Sequence, residues 1–263
     1  MSIKAEIPTL FGKELLTRRP AIPYQQGLKE AVEITLRDLE GNPISTDGKT
    51  ITIRFADGVT PTYQEAELDI ENPANPLIFE PPDPVRNNAG VWVAAAGLKE
   101  GDDLKYIYNF WIYVEPSLWV NDSQAMNQTL PQIDELRSYL RDSSSFENEL
   151  WEKYQYFLSD ICEAIVQTVK FWNSVPPYHH TRNTRTFNYP YILKLGTEVH
   201  LMESLLEWAR KNRLPFQGTV AVDDIARFDR FEQLLPMKKQ ELIEQILRAK
   251  AIESVFRSFR RVG

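Results

Sequence analysis

His179 and His180 are the side chains of this sequence best placed to take a metal: two adjacent imidazoles on a proline-bounded loop. Zinc sites need four protein ligands, or three and a water. No third and fourth ligand at workable spacing accompanies the pair, which reads as a solvated loop. His200 stands between Val199 and Leu201, with Glu203 three residues on. On a helix that spacing makes neighbours, so a histidine bonded to Glu203 is expected, not a proton-transfer site. Asp223-Asp224 could offer paired carboxylates to a cation, but acidic residues at a helix start answer the positive end of the helix dipole. Tyr106, Tyr108, Trp111 and Tyr113 could stack on a sugar; they lie in the most apolar strand, where core packing is the simpler use of such rings. Arg257 to Arg261 could touch phosphate, yet so short a run on a mixed-charge helix better suits ion pairs with a partner protein.

The motifs that usually announce chemistry are missing. There is no G-x-G-x-x-G, Walker A loop, H-E-x-x-H, G-x-S-x-G or paired-cysteine zinc spacing. A glycan-cleaving enzyme would need two carboxyl groups facing across a cleft. No catalytic residue, cofactor site or metal site is expected, and the chain reads as non-enzymatic. Cys162 is the single cysteine and lies in an apolar helical run with Ile161, Ala164 and Ile165, so a buried thiol is expected.

The elements that must carry these residues differ between the two halves of the 263-residue chain. Residues 1–127 hold 11 Lys/Arg against 19 Asp/Glu, whereas residues 128–263 hold 19 against 18. That step suggests two units with different surroundings. The net charge of −7 argues against free nucleic acid as the main ligand, since phosphate binding wants a basic footprint. No stretch approaches the roughly 18 apolar residues of a membrane span. The first twenty residues lack an apolar signal core, so synthesis in the cytosol is expected.

Residues 1–21 show no sustained period and read as an N-terminal arm. Alternation then begins: Val32, Ile34 and Leu36 share one face, with Gly41-Asn42-Pro43 as a turn. Ile51, Ile53 and Phe55 alternate again up to Asp57-Gly58, and Val91 to Ala94 form a further strand ending at Gly97. Leu104 to Val114 (LKYIYNFWIYV) is apolar on both faces, as in a strand covered on both sides. The intervening ENPANPLIFEPPDP cannot be central sheet, because proline donates no ladder hydrogen bond. Residues 22–118 are therefore expected to form an antiparallel β-sandwich of immunoglobulin-like size, without the Cys–Trp–Cys signature of antibody domains. Residues 119–129 read as a linker that lets the sandwich dock independently.

Residues 130–263 read as an α-helical bundle with a long C-terminal helix. Ile133, Leu136 and Leu140 make one stripe, with Asp134 and Glu135 in its first turn. A second helix is expected from an N-cap at Ser159, with Ile161, Ile165, Val169 and Trp172 inward, ended by Pro176-Pro177. A third runs from Tyr191 to Lys211 on Leu195, Val199, Met202, Leu206 and Ala209. Thr219 to Val222 read as a short extended piece. The last helix, Asp223 to Arg260, should kink or break at Pro236, and its later part carries Leu242, Ile246, Ala249, Ile252, Val255 and Phe259.

This second half resembles the head-to-tail connector (adaptor) proteins of tailed bacteriophages. The resemblance lies in the order LPQIDELRSYLRD, FLSDICEAIVQTVKFWNSVPP, FNYPYILKLGTEVHLMESLLEWA, a glycine-containing turn (FQGTVAVDD) and a long terminal helix. Residues 22–118 are similar in style to immunoglobulin-like modules appended to phage neck, tail and baseplate proteins. The resemblance implies a virion structural protein, made in the host cytoplasm, whose copies form a twelvefold ring at the neck. Its partners would be the portal protein and the next neck or tail protein, with no membrane and no sequence-specific nucleic acid. A tail or baseplate protein whose sandwich binds a host glycan or another virion protein is the alternative, and the glycan version requires Trp92 or Trp111 to face solvent.

Ring assembly needs large interfaces, which favour aromatic residues and arginine. Phe146, Trp151, Tyr154, Tyr156 and Phe157, then Tyr178, Arg182, Arg185, Phe187 and Tyr189, then Arg257, Arg260 and Arg261 are the interface candidates. Packing of the first two groups onto their own bundle is the competing reading.

Overall fold

The computed structural model describes residues 3–4, 19–36, 45–61, 64–71, 73–100, 103–117, 130–142, 156–178, 181–211 and 221–260. A β-sheet region comes first and helices follow. The strands are β1 (Ile3–Lys4), β2 (Ala21–Gln25), β3 (Val32–Ile34), β4 (Thr50–Asp57), β5 (Gln64–Glu71), β6 (Leu77–Phe79), β7 (Gly90–Glu100) and β8 (Asp103–Glu115). A one-turn helix, α1 (Asp83–Arg86), precedes β7; α2 (Ile133–Tyr139), α3 (Leu158–Ser174), α4 (Pro190–Lys211) and α5 (Ala221–Arg260) complete the chain.

Five strands pair in the order β2-β8-β7-β4-β5, and three in the order β1-β3-β6. The sheets are mixed, which corrects the expectation of purely antiparallel pairing. β2 runs parallel to β8, with Ile22 opposite Ile112 and Tyr24 opposite Val114, and β1 runs parallel to β3. No hairpin joins β2 to β8, so nothing local imposes antiparallel direction. Pro23 sits on that edge strand, where its missing N–H costs least. β6 arises inside the proline-rich segment, and it too is an edge strand. β5 alternates Ala66, Leu68 and Ile70 against Glu65, Glu67, Asp69 and Glu71. An edge strand with one charged face discourages further pairing.

Because strand side chains alternate, the large sheet feeds two cores. Ile51, Ile53, Phe55, Trp92, Ala94, Phe110, Ile112 and Val114 pack with Val32, Ile34, Leu77 and Phe79 of the small sheet. On the opposite face Ala56, Val91, Val93, Trp111 and Tyr113 pack with Ile161, Cys162, Ile165, Val166 and Val169 of α3. Each large side chain so buried contributes about 1.5–3 kcal/mol. The two-sided apolar character of β8 has this cause. Gly58 marks the closest approach: a Cβ there would stand 2.7 Å from Val166 Cγ2 and 2.9 Å from Trp111 Cζ3.

The expected linker, residues 119–129, lies outside the described residues, but packing is continuous around it. Tyr113 Oη donates to the Pro131 carbonyl (2.6 Å), and the Ile133 N–H donates to the Glu115 carboxylate (2.9 Å). The expectation of a sheet unit free to dock by itself gives way to a shared core.

Among the helices, α3 starts one residue before the expected cap. The Phe157 N–H donates to the Asp160 carboxylate (3.3 Å), while Ser159 is buried in the first turn. α3 and α4 touch at Gly196 and Thr168. α4 and α5 run antiparallel, bridged by Arg210–Glu232 (3.1 Å), Lys239–Glu203 and Lys238–Glu198 (3.1 Å). α5 passes Pro236 without a break in the helix and already includes Ala221 and Val222, so those two residues are not extended. Leu242, Ile246 and Ala249 are buried, Ile252 and Val255 face outward, and the Phe259 side chain lies outside the described residues.

Candidate functional site

The end of α3, the segment 181–189 and the middle of α5 converge on Trp172. Its indole is buried, stacked on Tyr189 (4.8 Å between ring centroids) and met edge-on by Phe187 (5.3 Å). Lys250 of α5 lies over the same ring at 5.1 Å. Its ammonium donates to the carbonyls of Trp172 (2.7 Å), Val175 and Pro177 (3.3 Å). The Trp172 carbonyl also accepts from the Val175 N–H (3.3 Å), while Val175 and Pro177 lie just past α3, so a cation from another helix caps this end. Burial pushes the Lys250 pKa down, against the pull of Glu253.

Glu253, one turn on, accepts from Arg182 (2.6 Å) and from Tyr189 Oη (2.7 Å). The Asn173 side chain brackets the Arg182 backbone, accepting from its N–H and donating to its carbonyl, each at 2.8 Å. Thr184 then reaches the sheet: its hydroxyl accepts from the Val91 N–H (3.0 Å) and donates to Asp57 (3.3 Å). Arg185 pairs with Glu65 (2.6 Å) and lies 4.7 Å over the Trp92 ring. One nine-residue segment thus ties α3, α5 and the sheet together.

Asp57 is the buried charge of this junction. Its carboxylate accepts from the Val59 N–H (2.8 Å), while Arg185 Nε stands 3.6 Å away. Burial raises its pKa above the usual carboxylate range, with Val59, Arg185 and Thr184 pulling it back. The folded chain therefore keeps this proton at pH values where the unfolded chain has lost it. The site's contribution to stability falls as pH rises from the ordinary carboxylate range through the raised pKa. Asp57→Asn cannot ionise, so its stability relative to the wild type should improve across that window. Urea denaturation at stepped pH checks this, and the opposite trend would refute it.

The interface candidates meet different fates. Phe187 and Tyr156 are buried in their own chain, and Tyr189, Arg182 and Arg185 are engaged there as described. These five pack within their own chain: Phe187, Tyr189, Arg182 and Arg185 because the 181–189 segment folds back over the end of α3, and Tyr156 at the start of α3, where its backbone meets Arg137 and Asp142. Phe157 is half-buried at the start of α3, and Tyr178 stays outside at 74 % exposure. Arg257 and Arg260 lie in α5, but their side chains fall outside the described residues, as do Phe146, Trp151, Tyr154 and Arg261 altogether.

The candidate chemistry fares similarly. Trp92 is 0 % and Trp111 5 % exposed, and Tyr113 is fully buried, so the sugar platform these rings could have formed is core. Tyr108 is half-buried against that core; the Tyr106 side chain and His179-His180 lie outside the described residues. His200 Nδ1 stands 3.0 Å from Glu203 and its ring packs edge-on to Phe171; burial pushes its pKa down. The Cys162 thiol is buried and its pKa pushed up, which removes it as a nucleophile. Asp223 and Asp224 occupy the first turn of α5, their side chains not described. Among the described residues no three His, Cys, Asp or Glu side chains gather as metal ligands do, and no helix is long and apolar enough to cross a membrane.

What sequence reading missed is the outer surface of α5. Leu234, Met237, Ile243, Leu247, Ile252 and Val255 are all exposed. The signal was available: apolar residues of this helix occupy more than the single stripe that one core can absorb. In comparison with known proteins, the chain matches no protein-family model and no curated protein.

Proposed function

We propose that the protein is a non-enzymatic virion structural protein, a head-to-tail connector whose copies form a ring, twelvefold by the resemblance, between the portal and the neck or tail of a tailed phage. The observation that carries this reading is α5: 40 residues, about 60 Å of helix, with large apolar side chains on its outer surface. Exposed apolar surface of this kind marks interaction sites. In this reading the two sheets, facing across one core, form an immunoglobulin-like sandwich, and α2 to α5 form the connector bundle. The shared core joins sandwich and bundle into one unit, a suitable building block for a ring. The end of α5, with Arg257 and Arg260, would reach the portal.

A second reading places the protein in the tail or baseplate, its sheet docking another virion protein through the acidic edge of β5, where Glu67, Asp69 and Glu71 are exposed. Electron microscopy of purified particles, with this chain tagged, separates the two. Symmetric density beneath the portal is expected; a tag found only at the tail tip, or absent from particles, defeats the connector reading.

A further inference from the structure

We infer that the free chain pairs with a second copy of itself, α5 against α5, antiparallel about a two-fold axis at the level of Ile246. The seam is Met237, Gln240, Glu244, Arg248, Ile252 and Val255, spaced three and four residues apart and all exposed. Met237 is 68 % and Val255 54 % exposed, and Ile252 beside them 57 %. A three-four spacing sustained along a helix is the geometry in which two helices interlock.

The choice of occupant rests on self-complementarity. A two-fold interface sets each residue opposite the one equally far on the other side of the axis. About Ile246, Met237 and Val255 are equidistant, as are Glu244 and Arg248, and Gln240 and Ile252. Antiparallel pairing therefore seats Met237 on Val255 at both ends, Gln240 on Ile252 inside them and acid on base at the centre, each contact occurring twice. From Met237 to Val255 the seam runs about 27 Å.

Glu244 and Arg248 are 51 % and 70 % exposed at the side chain; within the helix Glu244 lies 3.9 Å from Arg248 and accepts from Gln240 (3.1 Å), exposed contacts that pairing across the axis can replace. The neighbouring Lys238, Lys239 and Lys250 are committed within the chain, to Glu198, Glu203 and the α3 carbonyls. Paired charges at the centre of an otherwise apolar seam fix its register and direction. The pairing concerns the chain before it meets any portal, so it stands or falls apart from the ring reading.

Sedimentation velocity of the full chain over a concentration series tests it. The wild type should shift from monomer to dimer. Glu244→Lys and Arg248→Glu should each weaken association about tenfold or more by setting like charges together. The double exchange should restore it, with thermal melting as the check that every variant is folded. Met237→Cys with Val255→Cys should crosslink two copies on oxidation, and Met237→Cys alone should not; buried Cys162 stays silent in both. A wild type that is monomeric at every concentration overturns the inference. So does a dimer that ignores both single charge reversals and fails to crosslink.

Discussion

Arg137→Met should destabilise the fold by about 3–5 kcal/mol, the usual cost of leaving one member of a buried ion pair alone. Arg137 and Asp142 are 9 % and 2 % exposed at the side chain. Arg137 Nη1 donates to Asp142 Oδ2 (2.8 Å) and to the Tyr156 carbonyl (3.2 Å), and the Tyr156 N–H donates to the same carboxylate (3.2 Å). Local geometry makes the pair. Arg141 takes a positive φ of 57° after α2, and the Asp142 N–H returns to the Arg137 carbonyl (2.8 Å), which turns Asp142 back beneath Arg137. The pair closes the end of α2 onto the start of α3. Methionine preserves much of the volume but takes the guanidinium away from a buried carboxylate. Arg137→Met combined with Asp142→Leu should recover much of the loss, because removing both charges avoids the cost of burying one without its guanidinium. Urea midpoints of both variants provide the measurement. A single variant costing less than about 1 kcal/mol would show that the pair contributes little beyond a surface bridge.

Gly196→Ala should cost about 2–3 kcal/mol although alanine is the better helix former by about 1 kcal/mol. A Cβ at Gly196 would overlap the Thr168 side chain, standing 2.7 Å from Oγ1 and 3.0 Å from Cβ. The Thr168 hydroxyl is held by the Ala164 carbonyl (2.8 Å), and Thr168 is fully buried, so it has little room to move. α3 and α4 would have to separate at their contact. Thr168→Ala removes the obstacle, so adding it to Gly196→Ala should be strongly non-additive and restore stability toward the wild type. Thermal denaturation of the two singles and the double decides it. Additive losses would mean that Gly196 is not where the helices are set.

The architecture is partly legible in the sequence. The change of period near residue 130, the apolar stripes of α3 and α4, and the central strands β4, β7 and β8 were all readable, since each is a pattern within one short segment. β2, β5 and β6 were not. β2 and β6 are short edge strands whose identity depends on a neighbour far along the chain: Tyr24 pairs with Val114, and Val32 with Phe79; β5 pairs with the adjacent β4, but every second residue of it is charged. The candidate site was less legible still. Composition marked Phe187, Tyr189, Arg182 and Arg185 as sticky, but stickiness is the same property whether the partner is another protein or the end of α3.

By itself the sequence determined which segments are strands and helices in the main, the burial of Cys162, and the Glu203 contact of His200, because periodicity and spacing act over a few residues. Only the tertiary structure decided that the sheet and helices share a core, that Lys250 caps a helix other than its own, and that Ile252 and Val255 face outward. Those outcomes depend on which surfaces meet, and a side chain's burial is settled by what arrives opposite it. An apolar stripe states that something must cover it; the remainder of the fold determines whether the cover is already there.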